Sequence, residues 1–247
     1  MTNKLNETKT YVLIHGAWGA AWEFDEVKEL LSKDGSTVHA LDLPGHGENK
    51  KEIVEVTMDA YVQHIEDFIN KIDGKVILVG HSLGGAIISQ VAEGNFEKIE
   101  KLIYVAAMLP KNGDSPLGLM QSDKYGQLLP RIIFSEDQSY ATLDDEMIRD
   151  LLLHDVADEA RLDKIVPEFL VKQAIEPFTV PAQITAGKFG SVPKYYIRAS
   201  LDKVLTPELQ DKMIGNWDVE KVFTLNSGHF PITSVADNLT EVIREIG

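Results

Sequence analysis

The chain predicts an α/β protein: a mostly parallel, doubly wound sheet of about six strands, with helices on both faces and a helical insertion. Three observations carry this prediction. Apolar, β-branched runs recur and alternate with longer amphipathic segments, the pattern of parallel strands joined by helical crossovers. One run, Val76 to Val79, breaks at Gly80-His81-Ser82-Leu83-Gly84 and passes directly into an Ala/Ile-rich helical segment. The alternation then stops between Leu109 and Gly190, a stretch too long for a loop and patterned as interrupted helices.

The strand runs are Tyr11 to His15, Thr37 to Leu41, Val76 to Val79, Ile99 to Ala106, Lys194 to Ala199 and Val219 to Leu225. Glu23 to Lys33, Met58 to Ile72 and Leu83 to Glu93 read as the helices between them. Thr206-Pro207-Glu208 places a capping hydroxyl before proline in a first turn, with Gly215-Asn216 as the stop. Ser234 to Ile246 closes the chain as a helix. The interrupted stretch reads as helical at Asp144 to Leu153, Glu159 to Leu162 and Pro167 to Ala174, without a strand. The expected division is a core domain of residues 1–108 and 190–247 with a cap (lid) of residues 109–189.

Composition bounds the function classes. With 247 residues, 44% hydrophobic and 26% charged, and no apolar run long enough to span a bilayer, a globular protein without a membrane partner is expected. A net charge of −15 and a pI near 4.8 argue against binding nucleic acid, which needs a basic footprint. Met1 to Thr10 is polar and lacks the apolar stretch of a secretory signal, so a cytoplasmic location is expected and the sequons at Asn6 and Asn238 are set aside. Cysteine is absent, which removes disulfides and thiolate chemistry. No His-Glu-x-x-His spacing and no phosphate-binding or dinucleotide fingerprint follows the first strand, so neither metal nor cofactor is expected. Assembly stays open, with a homodimer one alternative to a monomer.

The chemistry centres on Ser82. A sharp strand-to-helix turn needs very small residues two before and two after the serine, and Gly80 and Gly84 meet that demand. The turn exposes the hydroxyl over a helix N-terminus, whose free N–H groups favour negative charge. A serine hydroxyl is a weak nucleophile and needs an imidazole to take its proton and a carboxylate to orient the imidazole. Partners should lie beyond strand carboxyl ends. Asp202 follows the strand ending near Ala199, and His229 the strand ending near Leu225. The N–H groups of Leu83 and of Ala17, in the loop after the first strand, are the candidate oxyanion donors.

The rivals are weaker. Asp42 follows a strand but precedes the serine in the chain and is assigned to support of the Gly45-His46-Gly47 turn, while Asp218 lies at the wrong end of the sheet. His15 and His81 flank the site as hydrogen-bonding props, His46 is a turn residue, His39 and His64 are structural or exposed, and His154 could face a substrate. Trp18 and Trp22 pack a helix start against the sheet, with pocket lining as the alternative.

These motifs resemble the α/β-hydrolase fold superfamily along essentially the whole chain. Within it they are similar to the branch of methyl esterases, the salicylic-acid-binding esterase and hydroxynitrile lyases. The branch resemblance rests on His15-Gly16-Ala17-Trp18, Gly80-His81-Ser82-Leu83-Gly84-Gly85, Phe189-Gly190-Ser191-Val192-Pro193 leading into Tyr196-Ile197, and Asp202-Lys203 with Pro207-Glu208-Leu209-Gln210. It implies a serine esterase acting on a small-molecule ester, with Gly16, His81, Met108 and Phe230 at the substrate site. It also implies no hydroxynitrile lyase activity, because those enzymes carry threonine at Gly16 and lysine at Phe230. The same triad would serve a carbon–carbon hydrolase, a lactonase or a cofactor-free haloperoxidase. A slow-turnover ligand receptor is the non-enzymatic alternative.

Overall fold

The computed structural model describes residues 8–33 and 35–247; Asn6 and most of the polar Met1 to Thr10 stretch lie outside the described residues. Chain order is β1 (Thr10–Ile14), α1 (Asp25–Ser32), β2 (Thr37–Leu41), α2 (Met58–Ile69), β3 (Val76–His81), α3 (Leu83–Asn95) and β4 (Ile99–Val105). An inserted segment follows, with α4 (Pro116–Ser122), β5 (Ile133–Phe134), β6 (Tyr140–Thr142), α5 (Asp145–Met147), α6 (Glu159–Ile165), β7 (Gln173–Ala174) and α7 (Glu176–Thr179). The chain ends with β8 (Lys194–Ala199), α8 (Pro207–Ile214), β9 (Lys221–Leu225), α9 (Pro231–Ser234) and α10 (Ala236–Ile246).

Six strands form one parallel sheet in the order β2-β1-β3-β4-β8-β9. The pleat sends alternate side chains to opposite faces, and both faces are covered. Val12, Ile14 and Leu78 join one core with α2, α3 and the inserted segment, while Tyr11, Leu13, Ile77 and Val79 join the other with α1 and α10. Ile77, Leu78 and Val79 are fully buried, and each such side chain contributes about 1.5–3 kcal/mol. The chain runs outward from β1 to β2 and then returns to β3, so strand order reverses between β1 and β3. Their carboxyl ends therefore open a crevice, the place where this architecture binds ligands. Among the described residues no helix is long and apolar enough to cross a membrane.

Several expected elements are corrected. The inserted segment is not strand-free: β5, β6 and β7 form a small antiparallel sheet. Strands of two or three residues are too short to show a two-residue period. The helix expected over Pro167 to Ala174 is a 3-10 turn, Val166–Phe169, which leaves helical geometry at Leu170 (φ −78°, ψ 54°) before β7 begins. Asp144 to Leu153 divides into α5 and a wider π turn, Ile148–Leu152, with Asp144 as the side-chain cap. The helix expected from Glu23 starts as a 3-10 turn, Ala21–Phe24, and the helix expected from Ser234 starts at Ala236 because Val235 is outside helical geometry (φ −141°, ψ 45°). The second helix stops at Ile69 rather than Ile72, and the last strand starts at Lys221 rather than Val219.

Candidate active site

Ser82 is the sole residue between β3 and α3, and its backbone (φ 51°, ψ −121°) lies where side chains are disfavoured. Residues held this way cost of order 1–3 kcal/mol and persist only when the surroundings over-determine them. Here they do. Ser82 N–H donates to Val105 O at 3.3 Å, and its carbonyl accepts from Met108 N–H at 2.9 Å and Gly85 N–H at 3.1 Å. A Cβ at Gly80 would lie 2.7 Å from the Gly84 carbonyl, and one at Gly84 2.6 Å from Ile14 O, so the turn closes against β1 only with glycine at both positions.

The carboxyl ends of β8 and β9 bring Asp202 and His229 to this serine. His229 Nδ1–H donates to Asp202 Oδ2 at 2.8 Å, and Nε2 faces Ser82 Oγ at 2.9 Å. With Nδ1 committed to the carboxylate, Nε2 is left to accept the hydroxyl proton. Asp202 Oδ1 accepts the N–H groups of Val204 (2.7 Å) and Leu205 (3.0 Å). Gln210, fully buried on α8, donates to Asp202 Oδ2 at 3.3 Å and to Leu205 O at 2.7 Å, while its own Oε1 accepts Ala199 N–H at 3.1 Å. The buried charge is thus surrounded by donors. Tyr196 lies beneath it, and burial, followed by the Asp202 charge, pushes its phenol well above the ordinary value. It stays protonated and donates to Ala107 O at 2.6 Å.

Two backbone donors beside the elbow are left without a partner. Among the described residues, neither Ala17 N–H nor Leu83 N–H has a protein acceptor, and Leu83 is the first residue of α3, where N–H groups have no intrahelical partner. Gly16 is buried against the elbow: a Cβ there would meet Ser82 Cβ at 2.9 Å and His81 Nδ1 at 3.1 Å. His15 Nδ1–H donates to Gly16 O at 2.7 Å and Nε2 accepts Leu43 N–H at 3.1 Å. Burial, and then the neighbouring His46, hold His15 well below its ordinary pKa and so neutral.

The remaining residues singled out from the sequence are placed as follows. His81 is fully buried, with Nε2–H donating to the carbonyl of His229 at 2.8 Å and Nδ1 at 3.3 Å from Glu23 Oε2. Both nitrogens are spent on protein partners, so it presents none to a ligand. Phe230 packs edge-on against His81 (4.5 Å), His229 (5.5 Å) and Phe169 (5.0 Å). Met108 is buried and tied to the Ser82 carbonyl. Asp42 accepts from Ala21 N–H (2.8 Å) and Glu48 N–H (3.0 Å), bracing the turn behind it. His46 is more than a turn residue: it is buried and bridges Gly19 O and the Tyr61 hydroxyl. His154 packs on the loop before His229, its Cε1 being 2.7 Å from where a Gly228 Cβ would stand. Trp18 joins the core cluster on the sheet, Trp22 lies in the 3-10 turn that begins the first helix, and both also reach the inserted segment: the Trp18 indole donates to Ala141 O at 3.1 Å, and Trp22 meets Phe169 edge-on at 5.0 Å.

Three side chains around the site carry no readable sequence signal. Glu23 looks like one acidic residue of a solvated helix, and Asp155 and Gln173 sit where the chain shows no period; Gln210 belongs to a motif of the branch resemblance, which gave it no role. Asp155 Oδ2 accepts Gly228 N–H at 2.6 Å, so the inserted segment holds the loop that carries His229.

Comparison with known proteins bears on the fold and the family. Residues 11–242 match the alpha/beta hydrolase family. The chain is similar to a protein of Arabidopsis thaliana named putative methylesterase 11, chloroplastic, at 32% identity over 97% of this chain and 64% of that one, so it spans just under two thirds of the relative's length. It is 30% identical to a pyrethroid hydrolase of Sphingobium wenxiniae, over 95% of this chain and 86% of that one. The crystal structure of a pyrethroid hydrolase from Sphingobium faniae JZ-2 superposes with a TM-score of 0.84 at 29% identity, covering 96% of each chain.

Proposed function

The chain belongs to the alpha/beta hydrolase family, and from that premise we propose that it is a serine hydrolase cleaving small carboxylic esters through an acyl-enzyme. The observation that carries this reading is the relay from Asp202 through His229 to Ser82, at 2.8 Å and 2.9 Å, on a strained elbow. Ser82 Oγ attacks the ester carbonyl as His229 Nε2 takes its proton, and the N–H groups of Ala17 and Leu83 receive the oxyanion. The tetrahedral species collapses, His229 returns the proton to the leaving alcohol, and the acyl group stays on Ser82. His229 then draws a proton from water, which attacks the acyl carbonyl, and collapse releases the acid and restores the serine. Asp202 orients His229 and balances its charge while it is protonated.

Similarity to proteins named methylesterase and pyrethroid hydrolase supports an ester as the bond broken. Residues 109–189 act as the cap over residues 1–108 and 190–247 in this reading. A small apolar cavity of about 20 Å³, bounded by Trp18, Met120 and Phe178 among others, lies beside the loop that carries Ala17. The test is labelling by a fluorophosphonate, followed by turnover of p-nitrophenyl esters, lactones and diketones. Wild type is expected to label at Ser82 and cleave esters, and Ser82→Ala to do neither. Wild-type protein that failed to label would overturn the mechanism, and cleavage of a diketone without any ester would overturn the bond assignment.

A further inference from the structure

The loop His15-Gly16-Ala17-Trp18-Gly19 is gripped from a part of the chain far from it in sequence. Trp18 adopts a positive φ of 57°, which a bulky side chain holds only under constraint. Gln173 Oε1, on β7 of the inserted segment, accepts the Trp18 main-chain N–H at 3.2 Å. The Gln173 amide nitrogen donates to Ala174 O at 3.1 Å and to the Tyr61 hydroxyl at 3.2 Å. Tyr61 Oη lies 3.0 Å from His46 Nε2, and His46 Nδ1 lies 2.9 Å from Gly19 O. A carbonyl can only accept, so Nδ1 carries the proton there and Nε2 accepts from the Tyr61 hydroxyl, which in turn accepts from Gln173. Burial holds His46 down to about 4, so the imidazole stays neutral and the direction of every bond is set.

One buried side chain therefore reaches the loop twice, directly at Trp18 and through Tyr61 and His46 at Gly19. Each peptide unit is planar, so fixing one of its polar atoms aims the other. The unit that carries Ala17 N–H is held at its Gly16 oxygen by His15. The next unit is held at Trp18 N–H by Gln173. With both units pinned, the Ala17 N–H has one direction. We propose that Gln173 is a positioning residue by which the inserted segment aims the Ala17 N–H at the developing oxyanion. This rests on the esterase reading above.

The test uses the full chain with Gln173→Met and Gln173→Glu, an ester that wild type turns over, and an aryl trifluoromethyl ketone that forms a tetrahedral adduct on serine. Gln173→Met removes both halves of the amide and is expected to lower kcat by about 10–100-fold, less than the roughly 10²–10³-fold cost of removing an oxyanion donor outright. KM should stay within about threefold, because the oxyanion contact strengthens only in the transition state. Ketone affinity should fall with kcat, while affinity for the product acid does not. Gln173→Glu keeps an acceptor for Trp18 but loses the donor to Tyr61, and should fall between. If Gln173→Met does not fold, Tyr61→Phe, which cuts the route to Gly19 alone, carries the same comparison with a smaller loss. Folded variants with wild-type kcat and ketone affinity, or with only KM raised, would overturn the proposal. Wild-type enzyme that cleaves no ester would instead overturn the reading on which it rests.

Discussion

At the scale of single residues, His229 is held at both ends. Asp202 grips its ring, and His81 grips its carbonyl. His81 is in turn held by Glu23, whose side chain is fully buried and whose second oxygen, Oε1, has no partner among the described residues. Glu23→Gln preserves a hydrogen bond to His81 Nδ1 and is expected to change stability by less than about 1 kcal/mol. Glu23→Leu leaves that nitrogen buried and unpaired, which costs about 1–3 kcal/mol. Denaturant unfolding of both variants checks this, and a Gln variant as unstable as the Leu variant would mean that the charge, not the hydrogen bond, is what His81 requires. Gly16 is the second sensitive position. Gly16→Ala forces a methyl to 2.9 Å from Ser82 Cβ and 3.1 Å from His81 Nδ1, and a shift of either should lower kcat/KM by about tenfold or more. Steady-state kinetics with the ester cleaved by wild type would decide; an unchanged kcat/KM would show that the loop relaxes around the methyl.

At the scale of elements, α8 has a double duty. It begins with Thr206 as side-chain cap and Pro207 in the first turn, and it carries Gln210 to Asp202. The Thr206 hydroxyl also donates to Asp123 Oδ1 at 2.7 Å, joining the cap to the inserted segment. Thr206→Ala loses both, and a stability loss of about 1–2 kcal/mol is expected from urea unfolding. A loss within error would mean that Asp123, which also accepts Thr206 N–H at 2.9 Å, holds the turn by itself. The same cap was legible in the sequence because it is local: hydroxyl, proline and acidic residue lie within three positions. The core strands were legible for a similar reason, since a strand buried on both faces is a continuous apolar run. The inserted segment was not. Its strands are two or three residues long, its helices change between 3-10, α and π geometry, and none is long enough to impose a period.

At the scale of the molecule, the buried histidines make the fold acid-sensitive. Burial is the main cause of the lowering of His46 from 6.5 to about 4, with Lys50 adding to it and Gly19 O and Asp42 opposing it. The unfolded chain takes up a proton near 6.5 and the folded chain does not, so the His46 contribution is fully present above that value and is lost as pH falls towards 4. At about 1.4 kcal/mol per unit, His46 accounts for about 3 kcal/mol of that loss, and His15, lowered for the same reason, adds to it. The urea midpoint should therefore drop between pH 7 and pH 5, and less steeply in His46→Gln. Equal slopes in the two proteins would remove His46 as the cause.

The residues alone were enough to determine six strands in a parallel α/β order, a serine on a glycine-flanked turn, an acid and a histidine each placed beyond a later strand, and a loop with a spare N–H after the first. All of these are local features, written as apolar runs, turn residues and chain order. The tertiary structure decided which distant side chains hold them in place. Gln210 beneath Asp202, Glu23 behind His81, Asp155 on the loop before His229 and Gln173 on Trp18 are hydrogen bonds between separate elements, the last across 155 positions. A contact of that kind leaves no period or spacing in the chain. It exists only once packing has brought the two elements together and shielded the bond, wholly or in part, from water.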